Sequence, residues 1–230
     1  MSKTLRGSLI ILLLACLGSL FIFRQMGRRG LWERQISAFE QADRLNPPNA
    51  GVIVFTGSSS IRFWSTLADD MKPLDVINRG FGGSQIAQVN QYVSRIVLPY
   101  RPRAVVLYAG DNDLAIPWLK TPQQVLGDFK QFVDIIHANL PETWIYFVSI
   151  KPSLRRWASW QKIKRTNELI EEYSRTQPRV QFIDIDSAML DAQGKPRAEL
   201  FRKDGLHMNA QGYTLWTSII KPVLVSRFGS

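Results

Sequence analysis

The sequence predicts a three-layer α/β/α sandwich around a central parallel five-stranded sheet, preceded by an N-terminal transmembrane helix. Three observations predict it. Short apolar runs alternate with longer segments that repeat at helical spacing, which is the signature of a parallel sheet covered on both faces. The chain has 230 residues, 45% of them hydrophobic, which suits one sizeable core and argues against two domains. A single uncharged stretch runs from Gly7 to Phe23.

The elements follow in order. "GSLIILLLACLGSLFIF" (7–23) is at the short end of what spans a bilayer and longer than most signal-peptide cores. Lys3 and Arg6 precede it; Arg24, Arg28 and Arg29 follow. An uncleaved single-pass anchor is the favoured reading. A cleaved secretory signal fits less well, because the run ends in Phe-Ile-Phe-Arg and not in small residues. A lipoprotein signal would use Leu13-Leu14-Ala15-Cys16, but Leu14 is bulky for its place and the apolar run continues past the cysteine. The flanking charges nearly balance, with a slight excess downstream, which taken alone would put the domain in the cytoplasm. An anchor followed by a soluble domain is nevertheless the usual export arrangement, so the expectation is an exported domain, periplasmic or extracellular. The expected organisation is therefore a membrane segment at 1–30, a lead-in helix and linker at 31–50, and one domain at 51–230.

In "LWERQISAFEQADRL" (31–45), Leu31, Trp32, Ile36 and Phe39 recur at helical spacing, and "NPPNAG" stops the helix. "VIVFTG" (52–57), "DVINRG" (75–80), "AVVLYAG" (104–110), "WIYFVSI" (144–150) and "VQFIDI" (180–185) read as five strands. Helical patterns fill roughly 60–70, 84–98, 122–140, 156–176 and 209–226 between and after them.

Composition excludes several classes of function. One cysteine, Cys16, rules out an intrachain disulfide framework, and with two histidines a structural zinc site is improbable. "DND" (111–113) lacks the glycine and later glutamate of a calcium loop. No metal or cofactor is therefore expected. Residues 1–30 hold five basic residues and no acid, half of the net charge of +10. No nucleic-acid motif accompanies the rest, so no nucleic-acid partner is expected.

In a parallel sheet, ligands bind beyond the carboxyl ends of the strands. The unusual polar and glycine-rich stretches all fall there: "SSS" after the first strand, "RGFGG" after the second, "DND" after the third, "KPSLRRW" after the fourth, and "DGLH" after the fifth and a longer loop. A serine on a tight strand-to-helix turn is well placed as a nucleophile, although three serines there also suit simple helix capping. Local chemistry leaves Ser58, Ser59 and Ser60 equal. "NRGFGGSQI" fails the dinucleotide fingerprint, because Gln85 stands where its third glycine belongs. Its glycines suit a tight turn or a backbone N–H offered to an anion. Asn112 can donate to an oxyanion or form an Asx turn. His137 sits in "FVDIIHANLP" as a surface or boundary residue of a helix, which leaves His207 as the histidine of the rim. Asp204, in the same loop, can accept from its Nδ1–H and leave Nε2 for a serine.

These blocks resemble the SGNH, or GDSL-type, hydrolase superfamily. "FTGSSS" matches its first block, "NRGFGG" its second, "GDND" its third and "DGLH" its last, in order, over about residues 50–226. The resemblance implies a flavodoxin-like hydrolase fold and a serine ester hydrolase, whether esterase, lipase or lysophospholipase-like. In its register Ser59 is the nucleophile, His207 the base and Asp204 the partner of the base. The backbone N–H groups of Ser59 and Gly83 and the Asn112 amide form the oxyanion hole. The family's aspartate before the nucleophile is Ser58 here. That residue is not a triad member, so the departure alters the hydrogen bonding of the loop and leaves the triad intact.

"KPSLRRWASWQKIKR" (151–165) carries six basic residues and two tryptophans. Arg155, Arg156, Trp157 and Trp160 are candidates for a rim that holds an anionic substrate or rests on anionic headgroups. The alternative is a solvated helix whose tryptophans pack inward. The expected partner is a small-molecule or lipid ester. Deacetylation of, or acyl transfer to, a carbohydrate would use the same residues, and a tethered binding protein on an impaired hydrolase fold is a reading of a different class.

Overall fold

The computed structural model describes residues 29–116 and 119–229. The apolar run 7–23 lies outside them. Among the described residues no helix is long and apolar enough to cross a membrane.

Five strands form one fully parallel sheet in the order β2-β1-β3-β4-β5: β1 Ile53–Gly57, β2 Val76–Gly80, β3 Ala104–Tyr108, β4 Trp144–Val148 and β5 Val180–Ile183. The helices are α1 (29–45), α2 Ser59–Arg62, α3 Leu67–Asp70, α4 Ile86–Ile96, α5 Pro122–Asn139, α6 Trp160–Thr176 and α7 Ala210–Phe228. Each strand therefore begins within a residue of its expected position; β1 and β2 stop at Gly57 and Gly80 as expected, and β3, β4 and β5 each stop two residues before the end of their apolar runs.

Strand alternation divides the core into two layers. Val54, Val105, Leu107, Ile145 and Phe147 face Trp32 and Ile36 of α1, Val89 and Val93 of α4, Phe129 and Phe132 of α5, and Ile163 and Ile170 of α6. Their neighbours Phe55, Val106, Tyr146 and Val148 face Ile61 of α2, Leu67 of α3, and Trp216, Ile220 and Leu224 of α7. Successive Cβ atoms of a strand point to opposite faces, so a wholly apolar strand supplies both layers. With strands in every layer contact, the three-layer α/β/α sandwich expected from the sequence is what the chain adopts.

Two elements differ from expectation. The helix expected over roughly 60–70 is two single turns. The Asn78 amide donates to the Ile61 carbonyl at 2.6 Å, and Thr66 and the Trp64 indole both donate to Asp70 Oδ2 at 2.6 Å, which restarts the chain at α3. The second is α1, expected as a lead-in outside the domain. Its Trp32 and Ile36 belong to the first core layer, and Arg79 of β2 pairs with Asp43 near its end.

Candidate active site

Register alone brings the loops together. Gly57 lies level with Gly80 on one side and Tyr108 on the other, so the ends of β2, β1 and β3 stand abreast. The chain leaves β1 toward β2 and returns beyond β1 to β3. This is the topological switch point of the sheet, where a crevice opens. Gly57 must be glycine: its φ is +130°, and a Cβ there would sit 1.9 Å from the Tyr108 carbonyl oxygen.

Ser59 begins α2. Its Oγ lies 3.1 Å from His207 Nε2, and His207 Nδ1 lies 2.6 Å from Asp204 Oδ2. Asp204 Oδ1 also accepts the backbone N–H groups of Leu206 and His207, each at 2.9 Å. Partial burial pushes the Asp204 carboxyl up, but the His207 ring and the two N–H groups outweigh it and hold the group well below the usual carboxylate range. With the ring proton on Nδ1 facing Asp204, Nε2 is left to accept from the Ser59 hydroxyl.

The loop that carries His207 is built tightly. The Arg202 N–H donates to the His207 carbonyl at 2.7 Å, and the Gly205 N–H donates to Arg202 at 2.9 Å. The Arg155 N–H donates to Gly205 at 2.9 Å, so the loop after β4 supports the loop with the histidine. Phe63 meets the His207 ring edge to face at 5.0 Å between centroids and fixes its plane.

Gly83 has φ +75°, in the left-handed region, and a Cβ there would meet nothing within 4 Å, so open space lies beside it. The neighbouring residue, Gly82, is clamped on both sides. Gly82 accepts from the Trp32 indole at 2.9 Å and donates to Gln35 Oε1 at 3.2 Å. The Asn112 amide nitrogen donates to the Ser84 carbonyl at 3.1 Å, which uses one of its two hydrogens and orients the other. The Ser84 hydroxyl reaches the carbonyls of Gly57 and Phe81, at 3.1 and 3.0 Å. Asp113 is fully buried and accepts from the Ile86 N–H and from Lys120. Burial raises its carboxyl to about 6, against the lowering pull of Lys120.

Of the residues singled out in the sequence, Ser59, His207 and Asp204 are brought into one hydrogen-bond chain. Trp157 and Trp160 stack on each other at 5.7 Å, and Trp160 is buried against the core, so these rings pack inward. Arg155 is exposed. His137 lies at the opposite end of the sheet, 3.2 Å from the Thr143 carbonyl just before β4. Sequence reasoning passed over Phe63, Ser84 and Asp113. The serine and aspartate lie within the quoted blocks, but nothing local marks them, since the bonds that tie each to another loop, Ser84 to Gly57 and Asp113 to Ile86, both span 27 residues.

Residues 34–215 match the GDSL-like Lipase/Acylhydrolase family. The α1 subunit of platelet-activating factor acetylhydrolase IB from Bos taurus is 27% identical over 176 residues, which are 70% of each chain. A Streptococcus pneumonia structure, named provisionally as a platelet activating factor, superposes with a TM-score of 0.75 at 20% identity over 87% of this chain and 97% of its own. A GDSL-like lipase from Bacteroides thetaiotaomicron gives 0.72 at 23% identity over 83% and 97%. At these identities the structures speak to fold alone. The family match covers most of the described chain, including the serine, glycine, asparagine and histidine loops, and the chain belongs to the GDSL-like lipase/acylhydrolase family.

Proposed function

We propose that this protein is a serine-dependent carboxylic ester hydrolase that works through an acyl-enzyme on Ser59. The observation that carries the reading is the continuous chain from Ser59 Oγ to His207 Nε2 at 3.1 Å and from His207 Nδ1 to Asp204 at 2.6 Å.

In this reading Ser59 Oγ attacks the ester carbonyl carbon while its proton moves to His207 Nε2. The imidazolium that forms is held by Asp204. The carbonyl oxygen, now negative, accepts from the N–H groups of Ser59 and Gly83 and from the free hydrogen of the Asn112 amide. When the tetrahedral centre collapses, the bond to the leaving oxygen breaks and His207 gives that oxygen its proton. A water then attacks the acyl carbon with the same base, and Ser59 is released with the acid. The scheme uses protein groups and water.

A short acyl group is the substrate class we favour, because the bovine relative is named an acetylhydrolase. We further propose that residues 7–23 tether the domain at a membrane, a reading supported by the uncharged run, with the site on the exported side because an N-terminal anchor before a folded domain is the usual export arrangement.

One experiment tests both parts. A membrane-impermeant fluorophosphonate is applied to intact and lysed cells expressing the wild type or Ser59→Ala, with hydrolysis of a short-chain p-nitrophenyl ester measured in parallel. Labelling of the wild type in intact cells, and loss of labelling and turnover in Ser59→Ala, are expected. Undiminished turnover in Ser59→Ala would reject the nucleophile, and labelling only after lysis would reject the exported site.

A further inference from the structure

Lys151, just beyond β4, is 1% exposed. Its ammonium donates to three acceptors: Ser60 Oγ at 3.1 Å, the Tyr108 hydroxyl at 2.9 Å and Asp111 Oδ2 at 3.1 Å. The Tyr108 hydroxyl in turn donates toward Asp111 Oδ2 at 3.4 Å. Desolvation, with the Asp111 charge beside it, pushes the Tyr108 phenol well up, so it stays neutral and can donate. From the other side, the Tyr213 hydroxyl of α7 donates to the Ser60 carbonyl at 2.9 Å. Ser60 is thus gripped at its side-chain and main-chain oxygens by groups from two distant elements.

Stability gives no reason for such a pair. Two buried ions lose their hydration, and well-packed apolar side chains of similar volume often serve a fold as well or better. What the pair does hold is position. Ser60 is the next residue after Ser59, on the single turn that directs the Ser59 hydroxyl at His207. The turn itself offers no acid, since Ser58 stands where the related family's first block has an aspartate. The carboxylate beneath the turn comes instead from the loop after β3.

We propose that Lys151 and Asp111 are a positioning pair for the nucleophile. The ammonium locks Ser60 and so fixes the direction of the Ser59 side chain and N–H, while Asp111 holds the ammonium in place. The proposal rests on Ser59 being the nucleophile, and it makes a demand that a purely structural ion pair does not make.

The test separates the two. Lys151→Met and Asp111→Leu each strand one buried charge and lower the melting temperature. Together they remove both charges, so the double variant recovers thermal stability to near the wild type. Its kcat on a short-chain p-nitrophenyl ester stays down by about tenfold or more with KM within about twofold, because the reacting oxygen is misdirected. Ser60→Ala cuts the link while leaving the ion pair intact. It is the variant to rely on if the double variant does not fold, and it too lowers kcat several-fold with little change in KM. Wild-type kcat in a folded double variant, or in Ser60→Ala, overturns the proposal. Ser59→Ala is run alongside: if it turns over as fast as the wild type, the nucleophile reading fails, and the positioning pair with it.

Discussion

Three consecutive serines differ in what their hydroxyls touch. Ser59 Oγ faces His207, Ser60 Oγ accepts from Lys151, and Ser58 Oγ is buried with no hydrogen-bond partner among the described residues. Nothing in "SSS" itself distinguishes them, because each partner lies roughly 90 or 150 residues on or is absent. The histidine was readable for the opposite reason: with only two in the chain and one in a helix away from the rim, elimination pointed to His207. Ser58 precedes α2 yet makes no side-chain cap bond, so its hydroxyl is desolvated without compensation. Ser58→Ala is therefore expected to leave kcat unchanged and to stabilise the protein by up to about 1 kcal/mol, a rise in Tm of at most roughly 4 °C. A thermal melt checks this, and a Tm lowered by several degrees would mean that the hydroxyl is paired after all.

At the scale of elements, sequence periodicity located every strand and the four longest helices after α1, since each rests on a local pattern that its core layer rewards. It was blind to how α1 is used. Of the stripe Leu31, Trp32, Ile36 and Phe39, the last three pack on the core and Leu31 is exposed, and the stripe does not reveal that the Trp32 indole reaches the Gly82 carbonyl, 50 residues away, or that Gln35 accepts from the Gly82 N–H. The helix is further tied down by Arg95, which bonds Glu40 at 2.7 and 2.9 Å and Glu33 at 2.7 Å. Those pairs are half-exposed and worth little each. Burial of Trp32 and Ile36 holds the helix, and the two hydrogen bonds hold Gly82 through the peptides on both of its sides, the Trp32 bond acting on the Gly82–Gly83 peptide. Trp32→Phe combined with Gln35→Leu retains most of the apolar contact and releases that peptide. The expected result is a fall in kcat of roughly tenfold with a smaller change in KM. Steady-state kinetics decide the matter, and an unchanged kcat would remove α1 from the account of the site.

For the whole molecule, the distribution of buried acids sets how stability responds to pH. Asp186 lies just past β5, where burial and then the neighbouring Asp184 carboxylate push it up to about 7, against the Asn167 amide and the Ser187 hydroxyl. Asp113 is raised to about 6 in the same sense. A carboxyl whose folded value lies above its unfolded one holds its proton in the native state over the interval between them. The native state there binds more protons than the unfolded chain, and stability declines as pH rises from about 4 toward 7. Glu40, Asp69, Glu199 and Asp204 are shifted downward, and they act oppositely: their contribution is complete above the ordinary carboxylate range and disappears as pH falls through and below it. The two groups of acids therefore bracket a maximum near pH 5. Between pH 5 and pH 8 a loss on the order of 2 kcal/mol is expected, or roughly 4–8 °C in Tm. Asp186→Asn keeps a polar group facing Asn167 and Asp184 but has no proton to lose. It should flatten the decline above pH 5 and melt higher than the wild type at pH 8, while leaving the acid limb unchanged. Melting curves at half-unit pH steps test this directly, and a wild-type Tm that climbs steadily from pH 5 to pH 8 would show that neither buried carboxyl holds its proton in the folded state.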